Sequence, residues 1–117
     1  MSCYFDSVSS FIHIDSFSLR QMICDYLESN YSVMEGMNTS TLLKSIDNDY
    51  IAKMRNNQTW AGGIEISATC NLFALKIIVN SFHNGQQRKY EFLPIYKRYR
   101  KIIYLNYNGE HYTPANS

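Results

Sequence analysis

The hydrophobic pattern changes period near the middle of the chain, and that change constrains the fold more than any other feature. Leu19, Met22, Ile23, Tyr26 and Leu27 recur at helical spacing, which predicts an amphipathic helix with one buried face. Leu42, Leu43, Ile46, Tyr50, Ile51 and Met54 repeat the pattern and predict a second helix over that stretch. Further on, Leu75 to Val79 (LKIIV) and Ile102 to Tyr107 (IIYLNY) are short runs of β-branched and aromatic residues, as strands require. Tyr90 to Leu93 is a weaker strand candidate, confined by Pro94 to a sheet edge or to its own end. Asn108-Gly109 is a tight-turn signal that would carry His111 onto the start of a returning strand. Helices first and strands afterwards describe an α+β domain rather than a doubly wound sheet.

Two local signals remain. Ser18 with Gln21 spells a capping box, and Phe17 with Met22 occupies the hydrophobic-staple positions around it. From Trp60 to Phe73 the chain is ambiguous. Ala61, Ile64, Ala68 and Leu72 fit a helix, whereas Ile64, Ile66, Ala68, Cys70 and Leu72 alternate as in a strand. Gly62-Gly63 weakens the helix by roughly 1 kcal/mol per glycine, so local physics leaves both readings open.

The 117 residues suit one domain, expected over 1–117. A formal net charge of +1 gives no general electrostatic reason to expect nucleic acid or an anionic membrane as partner. One basic run, Lys97 to Lys101 (KRYRK), reads as a solvated edge. No stretch approaches the ~18 apolar residues of a membrane span, and MSCYFDSVSS lacks the basic and apolar regions of a secretory signal. The three cysteines (Cys3, Cys24, Cys70) form no C-x-x-C pair, so neither a disulfide framework nor a zinc site is expected. A reducing, intracellular compartment fits them.

Chemistry could begin at Cys3, which opens CYFDSVSSFI. If that segment is helical, the thiol meets the positive end of the helix dipole and unpaired backbone N–H groups, which favour thiolate and can donate to an oxyanion. Asp6, one turn on, opposes the thiolate. A thiol needs a base, and the candidates are His13, His83 and His111. His13 falls near a helix-to-helix connection, and His83 falls in a polar, solvent-exposed loop (FHNGQQ). His111 follows the turn closely enough for a rigid strand start to aim its ring.

CYFDSVS near the start, TWAGGIEISA in the middle and IIYLNYNGEHYTP near the end resemble, in order, the motif blocks of the ovarian-tumour (OTU) family of cysteine proteases. The resemblance covers nearly the whole chain. It implies a papain-like α+β domain, with N-terminal helices packed on a small, mostly antiparallel sheet, and it tips residues 60–73 towards helix. It matches Cys3 to the nucleophile and His111 to the general base of a thiol-dependent deubiquitinase. Such an enzyme hydrolyses isopeptide bonds after ubiquitin C-termini through a thioester. The implied partners are conjugates of ubiquitin or a ubiquitin-like modifier, acted on by a cytoplasmic monomer without cofactor. Trp60, Gly62, Gly63 and Glu65 match a structural block, with Trp60 as a packed anchor; Cys24 and Cys70 match nothing catalytic and read as buried small apolar residues.

The chain departs from the family pattern twice. The family places an aspartate three residues before the cysteine, where this chain has only two preceding residues, so a domain truncated before the nucleophile is expected. Two residues after the histidine, where Asn or Asp is usual, stands Thr113, the candidate orienter, whose neutral hydroxyl stabilises imidazolium less than a carboxylate does. Two alternatives accompany the enzyme: an OTU-fold ubiquitin-binding module with little or no turnover, and a viral-type self-processing cysteine protease.

Overall fold

A computed structural model describes residues 3–117. Five helices, α1 (Cys3–Ile12), α2 (Ser16–Glu28), α3 (Thr39–Ile46), α4 (Tyr50–Met54) and α5 (Gly63–Phe73), precede four strands, β1 (Leu75–His83), β2 (Gln86–Phe92), β3 (Lys101–Tyr107) and β4 (Tyr112–Ala115). The strands form one sheet in the order β2-β1-β3-β4. β1 pairs antiparallel with β2 and parallel with β3, and β3 pairs antiparallel with β4, so the sheet is mostly antiparallel. The expected α+β architecture is thus what the chain adopts.

The core lies where helices meet one face of the sheet. Alternation along β1 and β3 turns Leu75, Ile77, Val79, Ile103 and Leu105 inward, against Tyr4, Phe5 and Val8 of α1, Leu19, Ile23 and Leu27 of α2, and Ile66 and Ala68 of α5. Cys24 and Cys70 are fully buried, and burial pushes their thiols up to about 11 and about 12. They fill core space as expected and are held as inert neutral thiols.

Several local readings need correction. The cap of α2 is Asp15, whose carboxylate accepts from Ser18 N at 2.8 Å; Ser18 lies inside the first turn. An aspartate three residues before Ser18 offers both the hydrogen bond and a charge that suits the helix dipole, so it prevails over the Ser18–Gln21 box. Gln21 instead exchanges hydrogen bonds with Arg55. Phe17 is 68% exposed, and no staple forms.

The helix expected from Leu42 to Met54 is two. Asp47 ends α3 in extended backbone, and its side chain accepts from Asp49 N at 2.8 Å and binds Lys53. The Asp-Asn-Asp sequence offers local backbone partners that compete with helix continuation.

The ambiguous stretch resolves to helix from Gly63 onward. Glu65, in the first turn of α5, accepts from Gly62 N at 2.8 Å, which offsets part of the glycine cost. α5 ends at Ala74 in the left-handed region (φ 54). β2 ends at Phe92, two residues before Pro94, and is an edge strand as expected. It begins sooner than the composition of Tyr90–Leu93 suggested, because Asn84 and Gly85 both take positive φ (52 and 73) in the tight hairpin turn from β1.

The basic run has structural work beyond solvation. Arg100 donates from Nε to Phe73 O at 3.0 Å and from its backbone N to Ala74 O, while Lys101 Nζ donates to Phe11 O at 2.8 Å. These cations sit on the last carbonyls of α5 and α1, the ends where positive charge is favourable. No helix among the described residues is long and apolar enough to cross a membrane.

Candidate active site

Three segments converge at one end of the core: the head of α1, the loop before α5, and the turn between β3 and β4. Cys3 is the first residue of α1 and is partly exposed. Its helix is anchored immediately behind it. Tyr4 is buried against the core and donates its hydroxyl to Thr69 Oγ1 at 2.7 Å, and Thr69 donates on to the Glu65 carbonyl at 2.7 Å, tying α1 to α5. Ser7 Oγ closes the first turn on Cys3 O at 2.7 Å.

At the far end of the chain, the Tyr107–Tyr112 pair closes the β3–β4 hairpin. Their rings stack at 4.5 Å, and Tyr112 meets Tyr4 edge-on at 5.5 Å. Aromatic pairs of this kind contribute about 0.5–1.5 kcal/mol beyond area burial. They set the hairpin against the start of α1, and the backbone N–H of Tyr112 donates to Cys3 Sγ at 3.4 Å. Burial of the Tyr112 phenol pushes it up to about 12, so the ring that carries this contact stays neutral.

His111 immediately precedes β4, closing the turn rather than starting the strand. It is exposed, and its ring lies 5.5 Å from that of Trp60, tilted by 46°. Trp60 is 42% exposed, so it flanks His111 rather than serving as a packed anchor. Glu65, in the same block, is fully buried and does have a structural role: its two oxygens accept from Gly62 N and from Tyr50 OH at 2.6 Å. Burial raises its carboxyl above the ordinary carboxylate range, and these hydrogen bonds and the nearby Arg20 charge oppose that rise.

The other candidates lie elsewhere. His13 has left-handed backbone (φ 60) just past the far end of α1. His83 ends β1, and although exposed, its imidazole lies against Gly109. Thr113 sits on β4 opposite Asn106 and is exposed; among the described residues no side chain hydrogen-bonds the His111 ring. No group of three His, Cys, Asp or Glu side chains among the described residues could hold a metal ion.

Asn108, expected only as half of a tight-turn signal, also holds the histidine: its side chain accepts from the backbone N–H groups of Glu110 at 2.9 Å and His111 at 2.7 Å. An asparagine two and three residues before its partners is a readable signal for such a turn.

A thiol at the head of a helix, a closing hairpin led by histidine, and helices on one face of a small sheet define the papain-like α+β class. The chain matches the model of the OTU-like cysteine proteases over residues 2–112 and belongs to that family. Solved structures agree on the fold. An ovarian tumour domain in complex with ubiquitin superimposes with a TM-score of 0.73 at 20% identity, covering 97% of this chain and 62% of that one. The viral OTU domain protease of Dera Ghazi Khan virus gives 0.72 at 19% identity, covering 97% and 72%. An OTU deubiquitinase of Wolbachia pipientis wMel, bound to ubiquitin, gives 0.64 at 15% identity, covering 97% and 88%. No curated protein matches the chain in sequence.

Proposed function

We propose that this chain hydrolyses isopeptide bonds after the C-terminus of ubiquitin or a ubiquitin-like modifier, with Cys3 as nucleophile and His111 as general base. The observation that carries the reading is the 3.4 Å hydrogen bond from Tyr112 N to Cys3 Sγ, across 109 positions of sequence. It sets the residue next to the imidazole directly against the thiol.

His111 accepts the thiol proton, and the thiolate attacks the carbonyl carbon of the modifier's last residue. The resulting oxyanion faces the unpaired N–H groups of the first turn of α1. Collapse expels the lysine amine, which takes its proton from the imidazolium and leaves a thioester on Cys3. Water then gives a proton to His111 and attacks the thioester through a second oxyanion, and the thiolate departs and is reprotonated. The Tyr112 N–H steadies the thiolate at both ends of the cycle by a charge-assisted hydrogen bond.

The enzyme acts as a monomer on protein conjugates, not on nucleic acid or membrane. The three free thiols suit a reducing, intracellular compartment such as the cytoplasm.

Thr113 is the candidate orienter in this scheme, but it is exposed on β4 without a hydrogen bond to the ring, and its neutral hydroxyl would support imidazolium only weakly. That feature favours a second reading, in which the domain binds the modifier and turns it over poorly. Incubation with di-ubiquitin separates the two: cleavage abolished by Cys3→Ala supports the enzyme, and binding without cleavage supports the module. If His111 is the base, Thr113→Asp should raise kcat by up to about tenfold, since a carboxylate better stabilises the imidazolium that develops. Steady-state kinetics check this, and a fall in kcat would remove Thr113 from the role.

A further inference from the structure

We propose that Asn108 is the positioning residue of His111, holding the base at the thiol through the backbone of the turn. The proposal rests on the reading of His111 as general base. Asn108 Oδ1 accepts from Glu110 N at 2.9 Å and from His111 N at 2.7 Å, and Asn108 N donates to His111 O at 3.2 Å. Both backbone polar groups of His111 therefore close on one residue. With N–H and C=O fixed, the direction of the Cα–Cβ bond is fixed, and only the two side-chain torsions remain to place the ring. The Trp60 ring lies along one side of the imidazole and narrows that choice.

The rest of the turn is braced to match. Tyr107 donates its hydroxyl to Gly109 O at 2.9 Å. Gly109 has φ +97, and a β-carbon there would overlap Nδ1 of His83, so the end of β1 backs the turn from outside. A misplacement of the imidazole by roughly 1 Å can cost about a hundredfold in rate, and these contacts hold an exposed four-residue connection against it. The brace matters more here because Thr113 offers only a neutral hydroxyl. Orientation passes from a side-chain partner of the ring to the backbone that carries it.

The test compares wild type, Asn108→Ala, Asn108→Asp and His111→Ala on a ubiquitin C-terminal fluorogenic amide, with amide hydrogen exchange on the wild-type protein. Asn108→Ala should lower kcat by about 10- to 100-fold, leaving KM within about twofold. Asn108→Asp keeps the accepting oxygen and should return kcat to within about threefold of wild type. A turn that merely stabilised the domain would give no such split and no such rescue. In wild type, the N–H groups of Glu110 and His111 should exchange at least about a hundredfold slower than in an unfolded chain, although both residues are exposed. That measurement stands even if Asn108→Ala does not fold.

Unprotected amides, an alanine variant with wild-type kcat, or an aspartate variant no better than alanine would each overturn the proposal. An inactive wild type, or a His111→Ala variant as active as wild type, would instead overturn the reading of His111 as base, and the proposal with it.

Discussion

Replacing Cys3 with alanine is expected to lower kcat/KM on a ubiquitin C-terminal amide by at least about 10⁴-fold, with the protein still folded. Cys3 is partly exposed at the first position of α1, and the contacts that hold the helix belong to Tyr4, Phe5 and Val8, so loss of one sulfur atom leaves the core intact. No other thiol can take its place, because Cys24 and Cys70 are buried and their thiols are raised to about 11 and about 12. His111→Ala should cost about 10³- to 10⁴-fold. The double variant should be little worse than Cys3→Ala alone, since nucleophile and base act as a unit and their losses do not add. Losses that multiplied in the double variant would mean that the two residues act separately.

The largest effect on stability is expected at Glu65. Its side chain is fully buried, accepts from Gly62 N and Tyr50 OH, and feels the charge of Arg20. Glu65→Ala strands both donors and weakens the start of α5, the loop that carries Trp60, and the contact to α4. Breaking a buried charged network in this way costs about 3–5 kcal/mol. In a domain of this size that is a fall in Tm of about 12–20 °C. Glu65→Gln keeps an oxygen for Gly62 and an amide group facing Tyr50, and should change stability by only about 1 kcal/mol.

The sign of the pH dependence at Glu65 follows from burial. Its folded-state pKa lies above the unfolded value, so the native state binds the proton more tightly. The stability due to this group is complete below the unfolded pKa and declines as pH rises through the folded one. Glu65→Gln should remove that decline. Thermal unfolding of wild type and both variants across that range checks all three statements.

The parts of the molecule legible in the sequence were those fixed by strong local periodicity. α2, β1 and β3 follow directly from the spacing of Leu19, Ile23 and Leu27 and from LKIIV and IIYLNY. What misled was competition between similar short-range signals. Asp15 and Ser18 both suit a helix cap, and charge decides for Asp15. Asp47 interrupts an apolar spacing that runs unbroken through it, because its side chain accepts from the backbone N–H of Asp49.

The family blocks joined Cys3 and His111 in one expectation, but local pattern could not, since no periodicity links positions 3 and 111. The contact of Tyr112 N with Cys3 Sγ, which sets the neighbour of His111 against the thiol, goes with the ring packing of Tyr4, Tyr107 and Tyr112. Trp60 was expected as a packed anchor because its block resembles a structural one, and only the converging turn shows that its ring flanks His111. Asn108 was visible as half of a turn signal, while its grip on His111 required knowing where the turn closes.

The central claim is that Cys3 is a nucleophile poised for a carbonyl at the end of a modifier protein. Its most direct test is incubation with ubiquitin bearing an electrophile at its C-terminus, followed by mass spectrometry of the adduct. One covalent ubiquitin per chain is expected, attached at Cys3, and none on Cys3→Ala. Attachment at Cys24 or Cys70, or a wild-type chain that binds the reagent yet stays unlabelled, would contradict it.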